Sequence, residues 1–278
     1  MTLRTTAQAL SAFSIGLAGS LAAGTLLKRY PPGGAKRWDR PNHAGQRVTL
    51  LEGPAFVVSA VSGALVGGAG AQALIAGLGA GALGGVDDLL GEGPSKGLRG
   101  HLGSALRGEV TTGVVKIVGL GVTGLLAAGI IDRSKVAAPR VSTMVGGAVI
   151  AGSANLVNLF DLRPGRALKV VLMLAVPLAA TGSGNTASKA AAGAAAGAAI
   201  GCLPGDLAGR SMLGDTGANS AGALLGTALV GRTGLAGRLG ALALLTALTL
   251  ASERVSFTAV IEATPGLREL DALGRSRR

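Results

Sequence analysis

The sequence predicts an all-α fold, a bundle of transmembrane helices with about nine spans. Hydrophobic residues make up 49% of the 278 residues and charged residues only 14%. Because a soluble domain carries about 25% charged residues, most of this chain is expected to avoid water. The 48 glycines and the 2% share of aromatic residues favour helices whose backbones approach closely in lipid, where small side chains form the interfaces.

Apolar runs recur along the whole chain, with no linker between them, and predict a single integral membrane domain. Some runs are shorter than the roughly 20 residues that a span usually needs, so the number of spans is approximate. The predicted spans are residues 7–27, 54–69, 71–86, 110–131, 140–160, 167–182, 186–202, 217–231 and 236–251.

Positive residues predict the orientation of these spans. The net charge is +12, and most of the positive residues lie in short segments between apolar runs. Under the positive-inside rule, this distribution places the N-terminus outside and the C-terminus inside a plasma membrane. The expected cytoplasmic segments are 28–50, 87–108, 161–166 and 203–216, with a cytoplasmic tail at 252–278. Since basic and aromatic residues do not cluster together, we expect no nucleic-acid partner.

Two sets of glycines are spaced by four residues, which aligns each set along one face of a helix. We expect a neighbouring backbone to approach each face closely. The two sets are Gly77, Gly81 and Gly85, and Gly193, Gly197 and Gly201.

Acidic residues mark the expected cytoplasmic ends of two spans. Asp87 and Asp88 end the third span, where the helix dipole is negative and the two carboxylates repel each other. A divalent cation with a phosphate ligand would offset that cost, whereas the simpler interpretation is a hydrated loop. Asp215 and Thr216 precede the eighth span, where either could cap a helix or lie beside a phosphate-binding helix terminus.

A third polar group ends the fifth span. Asn155 and Asn158 are three residues apart and therefore share a helix face, and Asp161 follows them. Polar side chains at membrane depth usually face a bundle interior or a cavity. The two asparagines predict either hydrogen bonds between helices or contacts with a ligand.

Taken in order, these motifs resemble those of the polyprenyl-phosphate N-acetylhexosamine-1-phosphate transferases, the family that includes phospho-N-acetylmuramoyl-pentapeptide transferase. The family carries a paired Asp, then Asn-x-x-Asn-x-x-Asp, then Gly-Asp-x-Gly. Here the matching segments are residues 85–88, 155–161 and 214–217, and residues 39–42 are similar to the family's first cytoplasmic loop.

The resemblance implies an enzyme that transfers a sugar 1-phosphate from a UDP-sugar to a polyprenyl phosphate in cell-envelope synthesis and requires Mg²⁺. It implies Asp215 and Asp88 as metal ligands, with Asp87 and Asp88 positioning or deprotonating the lipid phosphate. Substrate-binding roles would fall to Lys96, Asn155, Asn158 and Asp161. The basic tail, which differs from the family pattern, would add Arg254 as a phosphate-binding cation. The oligomeric state stays open, with a homodimer as one option.

Departures from the family pattern leave other functions open. Pro164 occupies the place of a second Asp, and the His-rich loop and final span of the family are missing. One alternative is therefore a catalytically degenerate relative that binds a lipid-linked precursor or scaffolds envelope enzymes. A transporter or channel is a third alternative, which would place acids near mid-membrane.

Overall fold

A computed structural model describes residues 2–42, 45–91, 111–133, 140–181 and 185–275. Nine longer helices alternate in direction, so that successive helix ends meet at the same two ends of a bundle. They are α1 (Thr2–Arg29), α2 (Glu52–Val66), α3 (Ala71–Leu90), α4 (Thr112–Arg133), α5 (Arg140–Phe160), α6 (Arg166–Ala180), α7 (Thr186–Leu207), α8 (Gly214–Arg232) and α9 (Leu235–Ser252). Two short helices follow, α10 (Phe257–Ala263) and α11 (Leu267–Ala272).

The all-α prediction is confirmed, and six of these helices are long and apolar enough to cross a membrane. They are α1, α3, α4, α5, α7 and α9. Two of the other three, α2 and α6, have 15 residues each. The third, α8, has 19 residues and is buried along nearly its whole length. The described helices therefore indicate a membrane protein, while the number of spans and their orientation stay predictions.

Helix α8 lies at the centre of the bundle and packs against α2, α3, α5, α6 and α7. Its side chains are mostly Ala, Gly, Ser, Thr and Leu, and Asn219 and Ser220 are completely buried. Because its neighbours shield it, this helix needs little hydrophobicity of its own. Small side chains are required instead, since they allow several backbones to approach at once.

The helix pair α1–α7 confirms the prediction of close backbone packing at the second glycine set. A Cβ added at Gly197 would lie 2.0 Å from the carbonyl oxygen of Phe13, and one at Gly193 would lie 2.6 Å from that of Ala9. At Gly77 and Gly81 the nearest neighbours are instead side chains, those of Val61 and Val57. Gly85 has only an ordinary contact, with the Thr216 hydroxyl of α8 at 3.4 Å. The prediction of a closely approaching backbone is therefore wrong for the first set, where Gly77 and Gly81 pack against side chains of α2.

A small β-hairpin, not predicted from the sequence, follows α1. Its strands are β1 (Asp39–Pro41) and β2 (Arg47–Thr49), and they pair antiparallel with Arg40 opposite Val48. The backbone of Thr49 also exchanges hydrogen bonds with Arg210 and Met212, just before α8. The hairpin therefore packs beside the segment that leads into α8.

We call the end of the bundle that holds Asp88, Asp161, Asp206 and Asp215 the acidic end. The described parts of all the predicted cytoplasmic segments converge there. At the opposite end, α4, α5, α8 and α9 meet around a buried ion pair. The guanidinium of Arg238 donates to both carboxylate oxygens of Asp132 at 2.7 Å, and it also donates to the carbonyl oxygens of Ser142 and Val230.

Candidate functional site

The acidic end brings together the first and third sequence motifs, Asp87 and Asp88 on α3 and Asp215 on α8. The approach depends on Gly84, where an added Cβ would lie 2.1 Å from the carbonyl oxygen of Asp215. Only a residue without a side chain allows the last turn of α3 to lie against the first turn of α8. The three carboxylates are therefore neighbours although they are far apart in sequence.

Asp88 binds the N-terminus of α8. One of its carboxylate oxygens accepts the backbone N–H of Asp215 at 3.0 Å, and the other accepts the N–H and hydroxyl of Thr216 at 2.9 and 2.6 Å. A carboxylate is stabilised there by the free amide groups and by the positive end of the helix dipole. Asp88 itself thus performs the capping role that the sequence suggested for Asp215 or Thr216.

Lys116, near the start of α4, lies between the other two carboxylates. Its ammonium nitrogen is 3.4 Å from an oxygen of Asp87 and donates a hydrogen bond to Asp215. The lysine side chain is only 12% exposed, and the two aspartates are about a quarter exposed. One cation is therefore shared by both acids at a site that is only partly open to solvent.

This donor set suits a divalent cation in part. Among the described residues, no group of three or more His, Cys, Asp and Glu side chains is arranged to hold a metal ion. However, Mg²⁺ commonly takes only one or two protein carboxylates and completes its octahedron with water and phosphate oxygens. Asp87 and Asp215 converge on a single cation, the Lys116 ammonium, so they fit that requirement once the ammonium moves aside.

A cleft of about 700 Å³ opens at the same end of the bundle. The hairpin, the loop after α5, the end of α7 and the segment after α9 form its walls. Asp161 and Asp206 line the cleft together with Arg163, Ser211 and Arg275. A cleft of this size can enclose a ligand as large as a nucleotide sugar, since ligand pockets usually measure about 300–1,000 Å³.

Buried acids lie beside this cleft. Asp161, Asp206 and Glu52 are 8%, 2% and 5% exposed, and each has one carboxylate oxygen with no hydrogen-bond partner among the described residues. Burial raises the pKa of the Asp161 carboxyl well above its ordinary value, and the charges of Asp206 and Glu52 raise it further. Such costly groups are typical of functional sites.

The chain after α9 folds back to close one wall of the cleft. Arg166, at the start of α6, forms a two-pronged ion pair with Asp271 at 2.8 and 2.9 Å, and it donates a hydrogen bond to Thr258. Burial alone would raise the pKa of Asp271, but hydrogen bonds from Arg166 and Arg275 outweigh it and lower that pKa. The tail is therefore held against the loop that carries Asp161.

The remaining predicted site residues have different placements. Asn155 and Asn158 are both half-buried on α5, and the carbonyl oxygen of Asn158 accepts the N–H of Asp161 at 3.0 Å. Arg254 is exposed between α9 and α10 and does not line the cleft. Lys96 lies outside the described residues. The roles assigned to these four residues stay predictions.

Sequence reasoning missed Lys116 and Asp206. Lys116 had a usable signal, because it is a charged residue within the predicted span 110–131, and an ionisable group inside a span indicates function. The sequence signal for Asp206 was weaker, because this residue lies in a segment predicted as a loop, where an acidic residue is not unusual. The helix α7 continues to Leu207, and this extra turn carries Asp206 into the protein interior.

No protein-family model and no curated protein matches this chain. The functional assignment therefore depends on the order of the motifs and on the geometry of the acidic end.

Proposed function

We propose that this protein is a Mg²⁺-dependent phosphoglycosyl transferase of the plasma membrane, which moves a sugar 1-phosphate from a UDP-sugar to a polyprenyl phosphate. The observation that supports this proposal is the convergence of Asp87, Asp88 and Asp215 from α3 and α8, two helices that are far apart in the sequence. A cleft with room for a nucleotide sugar lies at the same end and is lined by Asp161, from the second motif. This combination favours phosphoryl transfer over transport, because the acids lie at helix ends.

In the proposed reaction, an oxygen of the lipid phosphate attacks the phosphorus that carries the sugar. The bond from that phosphorus to the bridging oxygen breaks, and UMP leaves. Phosphoryl transfer depends mainly on positioning and on neutralising phosphate charge, which a bound Mg²⁺ would supply. Asp87 and Asp215 would hold the ion, and Arg163 and Arg275 at the cleft would attract phosphate.

The hydrogen bonds of Asp88 refine the roles of the paired acids. Both of its oxygens already accept donors from α8, so we assign Asp88 to positioning Asp215, in place of the metal-ligand and proton-accepting roles that the resemblance implied. Asp87 does not bind the backbone amides of α8 as Asp88 does; its carboxyl contacts the Lys116 ammonium and the carboxyl of Asp215. We therefore assign the position nearest the lipid phosphate to Asp87.

The test is release of UMP by the purified protein with Mg²⁺, polyprenyl phosphate and a panel of UDP-sugars. We expect turnover that needs Mg²⁺ and falls by about 10²-fold or more in Asp215→Asn, since the variant loses a charge that acts on the transition state. Glu269→Gln, an exposed carboxylate on α11, serves as the matched control and should keep full activity. Equal turnover in Asp215→Asn and the wild type would refute the site assignment.

A catalytically degenerate relative is the second candidate. It is favoured by Pro164 at the place of the second acid in the family pattern. Such a protein would bind polyprenyl phosphate but release no UMP with any donor of the panel. Binding of the lipid phosphate by the folded wild type, measured alongside the turnover assay, separates the two candidates.

A further inference from the structure

Lys116 occupies an unusual position for a charged residue. Helix α4 is the most apolar of the six candidate spans. An ammonium at the edge of such a segment is costly unless it has partners, which usually include carboxylates. Here both partners, Asp87 and Asp215, are acids of the proposed metal site.

The lysine and a divalent ion would use the same carboxylates. Its ammonium contacts Asp87 and Asp215 at once, so its single positive charge already supplies part of the charge neutralisation that a divalent ion would provide. Two cations a few ångströms apart in a partly desolvated site repel each other strongly. A metal ion bound by both acids therefore requires that the ammonium withdraw, which is feasible because a lysine side chain has four flexible carbons.

We propose that Lys116 is a tethered cation that holds the metal-free site together, and that a divalent ion binds only by displacing its ammonium from Asp87 and Asp215. This inference rests on the proposed function, since it takes these two acids as metal ligands. As a consequence, the substrate-free protein binds a divalent ion more weakly than it would without Lys116. Lys116 is thus a positioning residue for the two acids.

The experiment measures Mn²⁺ binding to the full-length protein without substrate, by the loss of the free-ion signal in electron paramagnetic resonance. We expect Lys116→Met to bind Mn²⁺ about ten-fold or more tightly than the wild type, because a competing positive charge is removed. Lys116→Arg keeps a cation and should retain the weak affinity. Lys36→Met removes an exposed lysine outside the site and should also leave the affinity unchanged.

Lys116→Gln is a second neutral variant, to be used if Lys116→Met folds poorly. Its side chain carries no charge but can still donate a hydrogen bond to either aspartate. Thermal unfolding and gel filtration report whether each variant is folded. Equal Mn²⁺ affinity in the folded neutral variants and the wild type would overturn the inference while leaving the transferase proposal standing. Absence of Mn²⁺ binding from every variant would overturn it as well. UMP release is then the separate measure of the proposed function.

Discussion

At the scale of single residues, the paired acids Asp87 and Asp88 have different partners although they are adjacent. Asp88 stabilises the first turn of α8, whereas Asp87 shares a lysine with Asp215. Successive residues on a helix point about 100° apart, so one of the pair faces α8 directly and the other faces α4. The hydrated loop that the sequence left open does not occur, because both acids belong to the last turn of α3.

Asp161 gives a prediction at this scale. Its folded-state pKa is raised, first by burial and then by the charges of Asp206 and Glu52. The carboxyl thus ionises in the unfolded chain before it does in the folded protein, and stability falls as pH rises from the unfolded value of about 3.9 towards the raised one. Asp161→Asn removes this titration. The unfolding temperature of the variant should therefore exceed that of the wild type by more at pH ~7.5 than at pH ~4.

Thermal unfolding in detergent at the two pH values measures the effect. Glu262→Gln, which changes an exposed carboxylate on α10, is the control and should show little difference between them. A gain for Asp161→Asn that is the same at both pH values would contradict the burial argument. If Asp161→Asn is more stable than the wild type, the protein keeps this acid for function at a cost in stability.

At the scale of elements, the contact between α1 and α7 is set by small residues. The run of Ala and Gly from Ala190 to Ala199 is almost entirely buried, and α1 crosses it with backbone carbonyls against glycine. In lipid the hydrophobic effect does not drive helices together, so van der Waals packing at short distance must. Helix α1, mostly exposed elsewhere, is therefore held by this one face and by α2.

Gly197→Ala tests this contact. Its new Cβ would meet the carbonyl oxygen of Phe13 at 2.0 Å, so the two helices must separate, and we expect a loss of about 1–3 kcal/mol in unfolding free energy. Gly24→Ala on α1 is the matched control, because nothing lies within 4 Å of its added Cβ. That control should be neutral or stabilising, since alanine favours a helix more than glycine. Similar losses in both variants would argue against a packing cause.

At the scale of the whole molecule, ion pairs fasten the two ends of the bundle in different ways. The acidic end carries an open cleft and buried acids with unpartnered oxygens, whereas the opposite end holds the ion pair of Arg238 and Asp132, both buried. Arg238 joins helices α4, α5, α8 and α9 through one guanidinium. This ion pair links four helices at one end of the bundle, and the cleft lies at the other end.

Arg238→Met tests the buried ion pair with Asp132. Removing one partner leaves the buried carboxylate of Asp132 uncompensated, so we expect a loss of about 3–5 kcal/mol in unfolding free energy. Arg268→Met, which breaks the exposed pair with Glu269, should cost no more than about 1 kcal/mol. Both are measured by denaturant unfolding in micelles. The double variant Arg238→Met with Asp132→Leu should recover part of the loss, and a further loss there would contradict this explanation.

The sequence by itself determined the class of fold and most of the helices. Hydropathy and the low charge content are properties of composition, and a span needs only a sufficiently long apolar run. The glycine spacing at Gly193 and Gly197 likewise predicted a helix contact, because helical periodicity places these residues on one face. Asp87, Asp88 and Asp215 could be selected because their motifs stand at span ends.

Only the tertiary structure decided which groups meet. Lys116 contacts two acids that lie 29 and 99 positions away along the chain, and no local pattern encodes such a contact. The extra turn of α7, which buries Asp206, and the return of the tail through Arg166 and Asp271 were equally inaccessible. Each depends on which helix faces pack together, and that choice minimises the energy of the whole bundle, whereas hydropathy reports only where each segment prefers to lie.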